Sequence, residues 1–477
     1  MKRAVYRATW LIAFAALLNG CKVAHENGGF TVVQHVVSQR TGQTVEWNGH
    51  TASDTTIGAA IQKMLLHPLT ADQVVQIALL NNQNLQAKLE ELGIAKADLV
   101  QAGLLQNPVF AASWRFPDRA PHGTDAEYSV AENFLSLLIL PLRKQIAEAE
   151  FQGIQLNVAD EVFALDAEAK SAYFTFEARE QLLTRLRGIK ELNQTAADLA
   201  ARQHAAGTIN DLDLINQQAI CDEASIDFSH AREQLIADRE RLNRLMGFAD
   251  RPPAWNIAPR LPDIPSREMA NTDLELLAMR QRLDLAAANS HIAALKKILS
   301  VTKGFRYFTT VDVGIDTEHG TNGQNVTGPT LSLEIPIFDQ GQGRVAKIEA
   351  QFRQAQFRIK AMTTDIRSEV REVRDQMLAA RDLTEKYRDL VPKRQRIVEL
   401  TLQQYNGMLK GPYDLLLARQ SQLAAEQGYI ESWRDYWVDR TQLTRAVGGY
   451  LPDSSLQIIR STATEFHSTT THAGEQP

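Results

Sequence analysis

The sequence predicts a mainly α chain with a small β part, in which a unit of helix, strand, strand, long helix and return helix occurs twice. Three observations carry that prediction. Apolar residues recur at threes and fours from Val345 through Ile348, Phe352, Ala355, Ile359, Met362, Ile366, Val370, Val373 and Met377 to Val391. The mean step of about 3.5 is the repeat of helices wound around one another. Just before this run, Leu331, Leu333, Ile335 and Ile337 alternate with Ser332 and Glu334, which marks an extended chain with one oily face. Finally, the two halves match at a nearly constant offset: Arg143 with Arg344, Glu148 with Glu349, Phe151 with Phe352, Asp213 with Asp414, Arg244 with Arg445 and Gly247 with Gly448. Amphipathic helices share apolar positions by chance, but not matching charges and terminal glycines.

Taken in order, the chain opens on Lys2, Arg3 and Arg7 before the apolar run Trp10 to Leu18, then Leu18-Asn19-Gly20-Cys21. A basic start, a short apolar core and a small residue before the cut make residues 1–20 a secretory signal peptide, too short to span a bilayer. The Leu-x-Gly-Cys ending resembles the lipobox of bacterial lipoproteins, which implies lipid attachment at Cys21 and, with Lys22 following, transfer to the outer membrane. Beyond it only Cys221 remains, so no intramolecular disulfide forms and packing must supply stability. Cys221 is expected to pack as a small side chain in the return helix. Net charge is a modest -6, no basic run suggests nucleic acid, and no window after the signal is apolar enough for a transmembrane helix. Any membrane crossing falls to strands.

Residues 21–69 read as a polar arm, with Phe30 to Val37 suited to a short strand. Its histidines at 25, 35, 50 and 67 fit no metal-ligand spacing. Residues 70–248 form the first repeat. Thr70 and Asp72 open a helix running to Asn107-Pro108; two alternating runs follow, Phe110 to Phe116 and Tyr128 to Phe134. A long helix from about Leu142 to Gln203 then breaks at Gly207, and a return helix from Asp211 ends at Gly247. A linker at 249–270 carries five prolines. Residues 271–449 repeat the order, with a helix of about 60 residues, about 90 Å long, through Pro392 to Asn406-Gly407. Residues 450–477 form a tail, expected to be disordered from about 461.

Each half offers two strands of bilayer-spanning length, about 8 to 11 residues. Four strands cannot close a barrel, and open edges do not survive in lipid. Copies must therefore pool strands, and three would supply a 12-stranded transmembrane β-barrel whose wall a long α-helical coiled-coil barrel continues.

With that order of elements given twice, the chain resembles the TolC-like family of outer-membrane efflux proteins, particularly its lipid-anchored members. The residues carrying the resemblance are Leu69 to Pro108, GPTLSLEIPIFDQGQGR at Gly328 to Arg344, and NGMLKGPYDLLLARQ at Asn406 to Gln420. It covers nearly all of Leu69 to Gly449. It implies a homotrimer, outer-membrane lipid around the barrel, a periplasmic helical tunnel, and docking to a periplasmic adaptor (membrane fusion) protein and an inner-membrane pump. It also implies that the two helix reversals form the periplasmic aperture and adaptor contact, with Asp211, Asp213, Asp414, Gly207 and Gly407 as the residues to examine. In the motif Tyr413 to Ala418, Asp414 takes the family's first acidic place and Leu417 the second, so a double acidic ring is in doubt. Two roles stay open for the aspartates: capping the return helices, and ringing a pore mouth so as to favour cations. Reversal at Gly207 and Gly407 calls for positive φ.

Gly341, Gly343 and Arg344 begin a G-x-G-x-x-A pattern, but an alternating strand before it and so long a helix after it reject a dinucleotide site. With Arg143 they mark the barrel-to-helix junction, where glycines let the chain bend. No nucleophile elbow, zinc spacing or phosphate loop occurs, so no enzyme, cofactor or metal is expected. The resemblance implies a passive efflux duct as the expected function; a type I polypeptide secretion duct and a lipid-anchored coiled-coil tether are the alternatives. The exported substrate, whether drug, metal ion or polypeptide, is not written in the sequence.

Overall fold

The computed structural model describes residues 28–47, 53–119, 123–248, 253–258, 260–265, 271–308 and 310–451. The signal peptide, Cys21, parts of the linker and the tail from 452 lie outside the described residues. The first half runs α1 (Phe30–Thr41), α2 (Ser53–Met64), α3 (Ala71–Asn81), α4 (Gln83–Ala102), β1 (Val109–Arg115), β2 (Asp125–Asn133), α5 (Phe134–Ala205) and α6 (Asp211–Leu245). The second runs α7 (Asn271–Gln281), α8 (Leu283–Gly304), β3 (Val311–His319), β4 (Asn325–Leu333), α9 (Gln342–Asn406) and α10 (Pro412–Ala446). From α3 on, the same order occurs twice. The return helices α6 and α10 have 35 residues each, and the long helices α5 and α9 have 72 and 65.

The chain divides into two compact units that cut across both halves. One holds, of the described residues, 28–31, Glu90–Gln155 and Asn289–Gln356. In it all four strands form one antiparallel sheet in the order β1-β2-β3-β4. The other holds Val32–Leu89, Leu156–Ala288 and the chain from Phe357 on. It is helical, with a core of Leu274, Ile366, Val370, Met377, Tyr436 and Leu443 among others. Ile366, Val370, Val373 and Met377 follow one another at threes and fours, so the sequence period of α9 is its buried stripe.

Three expectations need correction. Phe30 to Val37 is helical: Phe30, Val33 and Val37 are the buried residues of α1, at steps of three and four where a strand would bury every second one. The helix expected from Thr70 to Asn107 breaks at Asn82, which is extended at ψ 116°. There Asn82 Oδ1 accepts from the Leu85 amide at 3.0 Å, and its Nδ2 donates to the Leu245 carbonyl at 2.9 Å. One side chain thus caps α4 and closes the end of α6. The fourth strand stops at Leu333, leaving Ile335 and Ile337 beyond it around Pro336, which cannot donate to a ladder.

A matching junction recurs in the second half. Asn81 Nδ2 donates to the carbonyls of Met246 (2.8 Å) and Gly247 (3.0 Å); Arg40 Nη1 donates to those of Gln281 (2.8 Å) and Gly448 (2.9 Å), and Arg282 Nη1 to that of Ala446. Both return helices therefore end against the break between the two preceding short helices. Gly247 and Gly448 make those ends possible, with φ of 72° and 105°. A Cβ on Gly247 would lie 2.2 Å from the Asn81 carbonyl oxygen, and one on Gly448 2.9 Å from the Gln281 backbone. Elsewhere in this unit Arg445 grips Asp160 through two bonds of 2.8 and 2.6 Å, joining α10 to α5. The indoles of Trp433 and Trp437 both donate to the Pro262 carbonyl and so hold the linker down.

Gly247→Ala combines a left-handed φ with a backbone clash, so it lowers stability by about 2–3 kcal/mol or more. Gly188→Ala, mid-helix with open space around it, raises stability by about 0.5–1 kcal/mol. Thermal unfolding of the detergent-solubilised protein measures both.

Candidate functional site

In the sheet, side-chain alternation and register separate two faces of opposite character. On one face Phe110 lies opposite Val130, Val130 opposite Ile315 and Ile315 opposite Pro329. The same face carries Trp114, Tyr128, Val313, Leu331 and Leu333, with Glu132 opposite Val313 at the α5 end of β2. It is uncovered: Phe110 is 66% exposed, Ile315 61% and Leu331 71%. Near one end Trp114 Nε1 donates to the Tyr128 hydroxyl at 3.2 Å, with ring centroids 6.0 Å apart. The other face carries Asp125, Glu127, Asp312, Asp316 and Glu318, with Arg115 against Asp125 (3.7 Å) and Glu127 (3.2 Å). One guanidinium thus answers five carboxylates. Strands of 7, 9, 9 and 9 residues are close to the bilayer-crossing length, and β1 and β4 are edges. Among the described residues no helix is long and apolar enough to cross a membrane.

At the junctions, Arg143 caps the end of α4, donating from Nε to the Ala102 carbonyl (3.2 Å) and from Nη2 to that of Leu104 (2.9 Å). Gly341 has φ 74° and its carbonyl accepts from the Val345 amide, so it starts α9. Bending belongs to Gly341 alone: Gly343 lies within the helix with open space around it, and Arg344 is exposed in the first turn.

In the helical unit, the two hairpins meet. After α5, Gly207 takes φ 71° and the Thr208 amide donates to the Gln203 carbonyl. The cap of α6 is Asn210, whose Oδ1 accepts from the Asp213 amide at 2.9 Å, so Asp213 contributes its backbone to the cap and not its carboxylate. Asp211 Oδ1 lies 2.6 Å from His204 Nε2 across the turn. In the second hairpin Gly407 keeps a negative φ, contrary to expectation, and Met408 takes the left-handed conformation at φ 57°. The Met408 side chain is almost fully exposed, so nothing crowds the strained residue. Asp414 accepts from the Gly411 amide at 3.0 Å and lies 3.5 Å from Lys410 Nζ, so it caps α10 with its charge half answered. Tyr413 OH donates to Gln203 Oε1 at 2.9 Å, tying one hairpin to the other. Around these turns Leu212, Ile215, Leu409 and Leu417 stand exposed.

Asp211, Asp213 and Asp414 thus come to one region of the helical unit, whereas Arg143, Gly341, Gly343 and Arg344 belong to the sheet unit. Sequence reasoning missed the Gln203 to Tyr413 tie, which spans 210 positions and has no local signature. It also missed the Lys410 to Asp414 pair, which an i,i+4 spacing does announce. Cys221 is buried on α6 with its thiol toward Gln194.

Comparison with known proteins bears on both regions. The outer membrane efflux protein family model matches residues 266–449. The cobalt-zinc-cadmium resistance protein CzcC of Cupriavidus metallidurans is 21% identical over 300 residues, 61% of this chain and 68% of CzcC. The fold is similar to that of the CmeC outer membrane channel of Campylobacter jejuni, with a TM-score of 0.65 and 15% identity over 82% of this chain and 89% of CmeC. It is equally similar to the open state of the MtrE outer membrane channel of Neisseria gonorrhoeae, with a TM-score of 0.65 and 15% identity over 80% of this chain and 89% of MtrE. Residues 266–449 thus match the outer membrane efflux protein family, and the chain shares its fold with outer membrane channels of known structure.

Proposed function

We propose that this protein is the outer-membrane exit duct of a tripartite efflux pump, conducting substrate passively to the exterior. Three copies pool their strands into a 12-stranded barrel in outer-membrane lipid, and a lipid chain on Cys21 anchors each copy. The helical hairpins lie in the periplasm and receive a periplasmic adaptor protein, which joins the duct to an inner-membrane pump. The observation that carries this reading is the two-faced sheet with open edges: an apolar, aromatic-fringed face for lipid and an acidic face for a water-filled lumen. A tether would need neither face. Repetition of the same elements in the same order supports a duplicated unit, with 70–248 and 271–449 as its two copies.

Five carboxylates against one guanidinium on the lumenal face favour cations in transit. Cobalt, zinc and cadmium, the metals in CzcC's name, are cations of the kind such a lumen admits. Asp414 and Asp213 lie where an aperture narrows; the Tyr413 to Gln203 bond holds the hairpins together and so disfavours opening.

In a planar bilayer the purified trimer gives stepwise conductance with a reversal potential on the cation-selective side. The triple change Asp312→Asn, Asp316→Asn, Glu318→Gln keeps the steps and moves the reversal potential toward zero; persistent silence from a confirmed trimer contradicts the reading. Tyr413→Phe removes one hydrogen bond from each copy, worth about 1 kcal/mol, so it raises the opening constant about fivefold per copy and speeds amide exchange at the 206–210 and 407–411 turns.

A further inference from the structure

A cavity of about 420 Å³ opens in the helical unit between the start of α3, α5, the linker and α10. That volume lies in the range of small-molecule pockets. On its α5 wall Glu177 is 1% exposed, and among the described residues neither carboxylate oxygen has a hydrogen-bond partner. Burial, with a smaller contribution from Glu180, pushes this carboxyl up to about 7. A buried acceptor with no donor is costly, so a native structure that keeps one calls for an explanation.

The polar groups around it are committed elsewhere. Lys170 Nζ lies 3.0 Å from Asp166 and 3.6 Å from Asp72. Tyr173 OH donates to the Leu69 carbonyl at 3.0 Å, and Trp437 Nε1 to that of Pro262. Arg260 pairs with Asp263, and the Arg440 guanidinium lies over the Trp437 ring, 5.6 Å from its centroid. Beside Glu177, Phe174 and Trp437 stack with centroids 5.3 Å apart, forming an apolar aromatic wall. The cavity thus offers one free anionic acceptor next to π-faces, the pairing that recognises an organic cation.

We infer that this cavity binds a small organic ammonium ion, its N–H groups donating to Glu177 and its apolar body resting on Phe174 and Trp437. The site lies within one chain and does not rest on the channel reading. Such a ligand would join α5 to α10 and the linker from within, so its binding would stiffen the helical unit.

Calorimetric titration of the full-length, detergent-solubilised protein with phenethylammonium chloride tests this. Saturable binding is expected with Kd below about 1 mM, and at least about tenfold weaker binding for neutral phenethyl alcohol and for phenylacetate. Glu177→Gln keeps the shape and loses at least about tenfold in phenethylammonium affinity, with helical content and elution volume unchanged. Thr444→Met, which puts a longer apolar side chain on the α10 wall and leaves Glu177 in place, weakens binding at least about tenfold and decides the matter should the glutamine variant not fold. Absence of saturable binding, equal affinity in Glu177→Gln, or a preference for phenylacetate, which would assign recognition to Arg260 and Arg440, overturns the inference.

Discussion

A four-stranded sheet with an oily face and two open edges cannot rest alone in hydrocarbon. Strands β1 and β4 present their outer backbone groups to whatever surrounds them. In lipid each unpaired group costs several kcal/mol, so two edges of 7 and 9 residues cost on the order of tens of kcal/mol, far above the stability of a domain. In water the same sheet would expose Phe110, Ile315 and Leu331 together, an aggregation surface. The first penalty would vanish when edge meets edge between copies and the second when the apolar face meets lipid, which would make the membrane sheet a property of the assembly. Pro329 is tolerable in this design because β4 is an edge within the chain.

The helical unit obeys a different constraint, that of ending helices. Both return helices terminate in Schellman closures at Gly247 and Gly448, and each closure docks on the break between two short helices. The donors differ, asparagine amides in one half and the guanidiniums of Arg40 and Arg282 in the other, while two of the carbonyls they satisfy correspond, Leu245 with Ala446 and Gly247 with Gly448. What the halves share is the demand of orphaned carbonyls at a buried helix end, met by whichever side chain reaches them.

Much of this was legible in the sequence because period is a direct image of packing. The threes and fours from Ile366 to Ala380 became the buried stripe of α9, though Leu383, on the same period, is 48% exposed; alternation located β1 and β2 but ran past the end of β4. Phe30 to Val37 misled because Val32-Val33 and Val36-Val37 favour extended chain by propensity, while burial of Phe30, Val33 and Val37 against neighbours chose the helix. The break at Asn82 was hidden, since its partner Leu245 lies 163 positions away. Reversal at Met408 was hidden too: Gly407 is the better left-handed residue by propensity, yet one exposed position on, strain is tolerated. The acidic face was readable from parity at Asp312, Asp316 and Glu318, but only register showed that Asp125 and Glu127 join it. Nothing local marks Glu177, one charge among many on a long helix, because its isolation depends on what three other segments cover.

The claim beneath all of this is that strands β1 and β4 of different copies are neighbours. Single cysteines scanned along Val109–Arg115 and paired with one at Thr330, in a background lacking Cys221 and keeping the acylated Cys21, measure it by oxidative cross-linking in outer membranes. The account predicts covalent species that close at three copies, strongest at one register and weakening on either side. Monomers alone at every register, or a ladder that climbs past three, would contradict it.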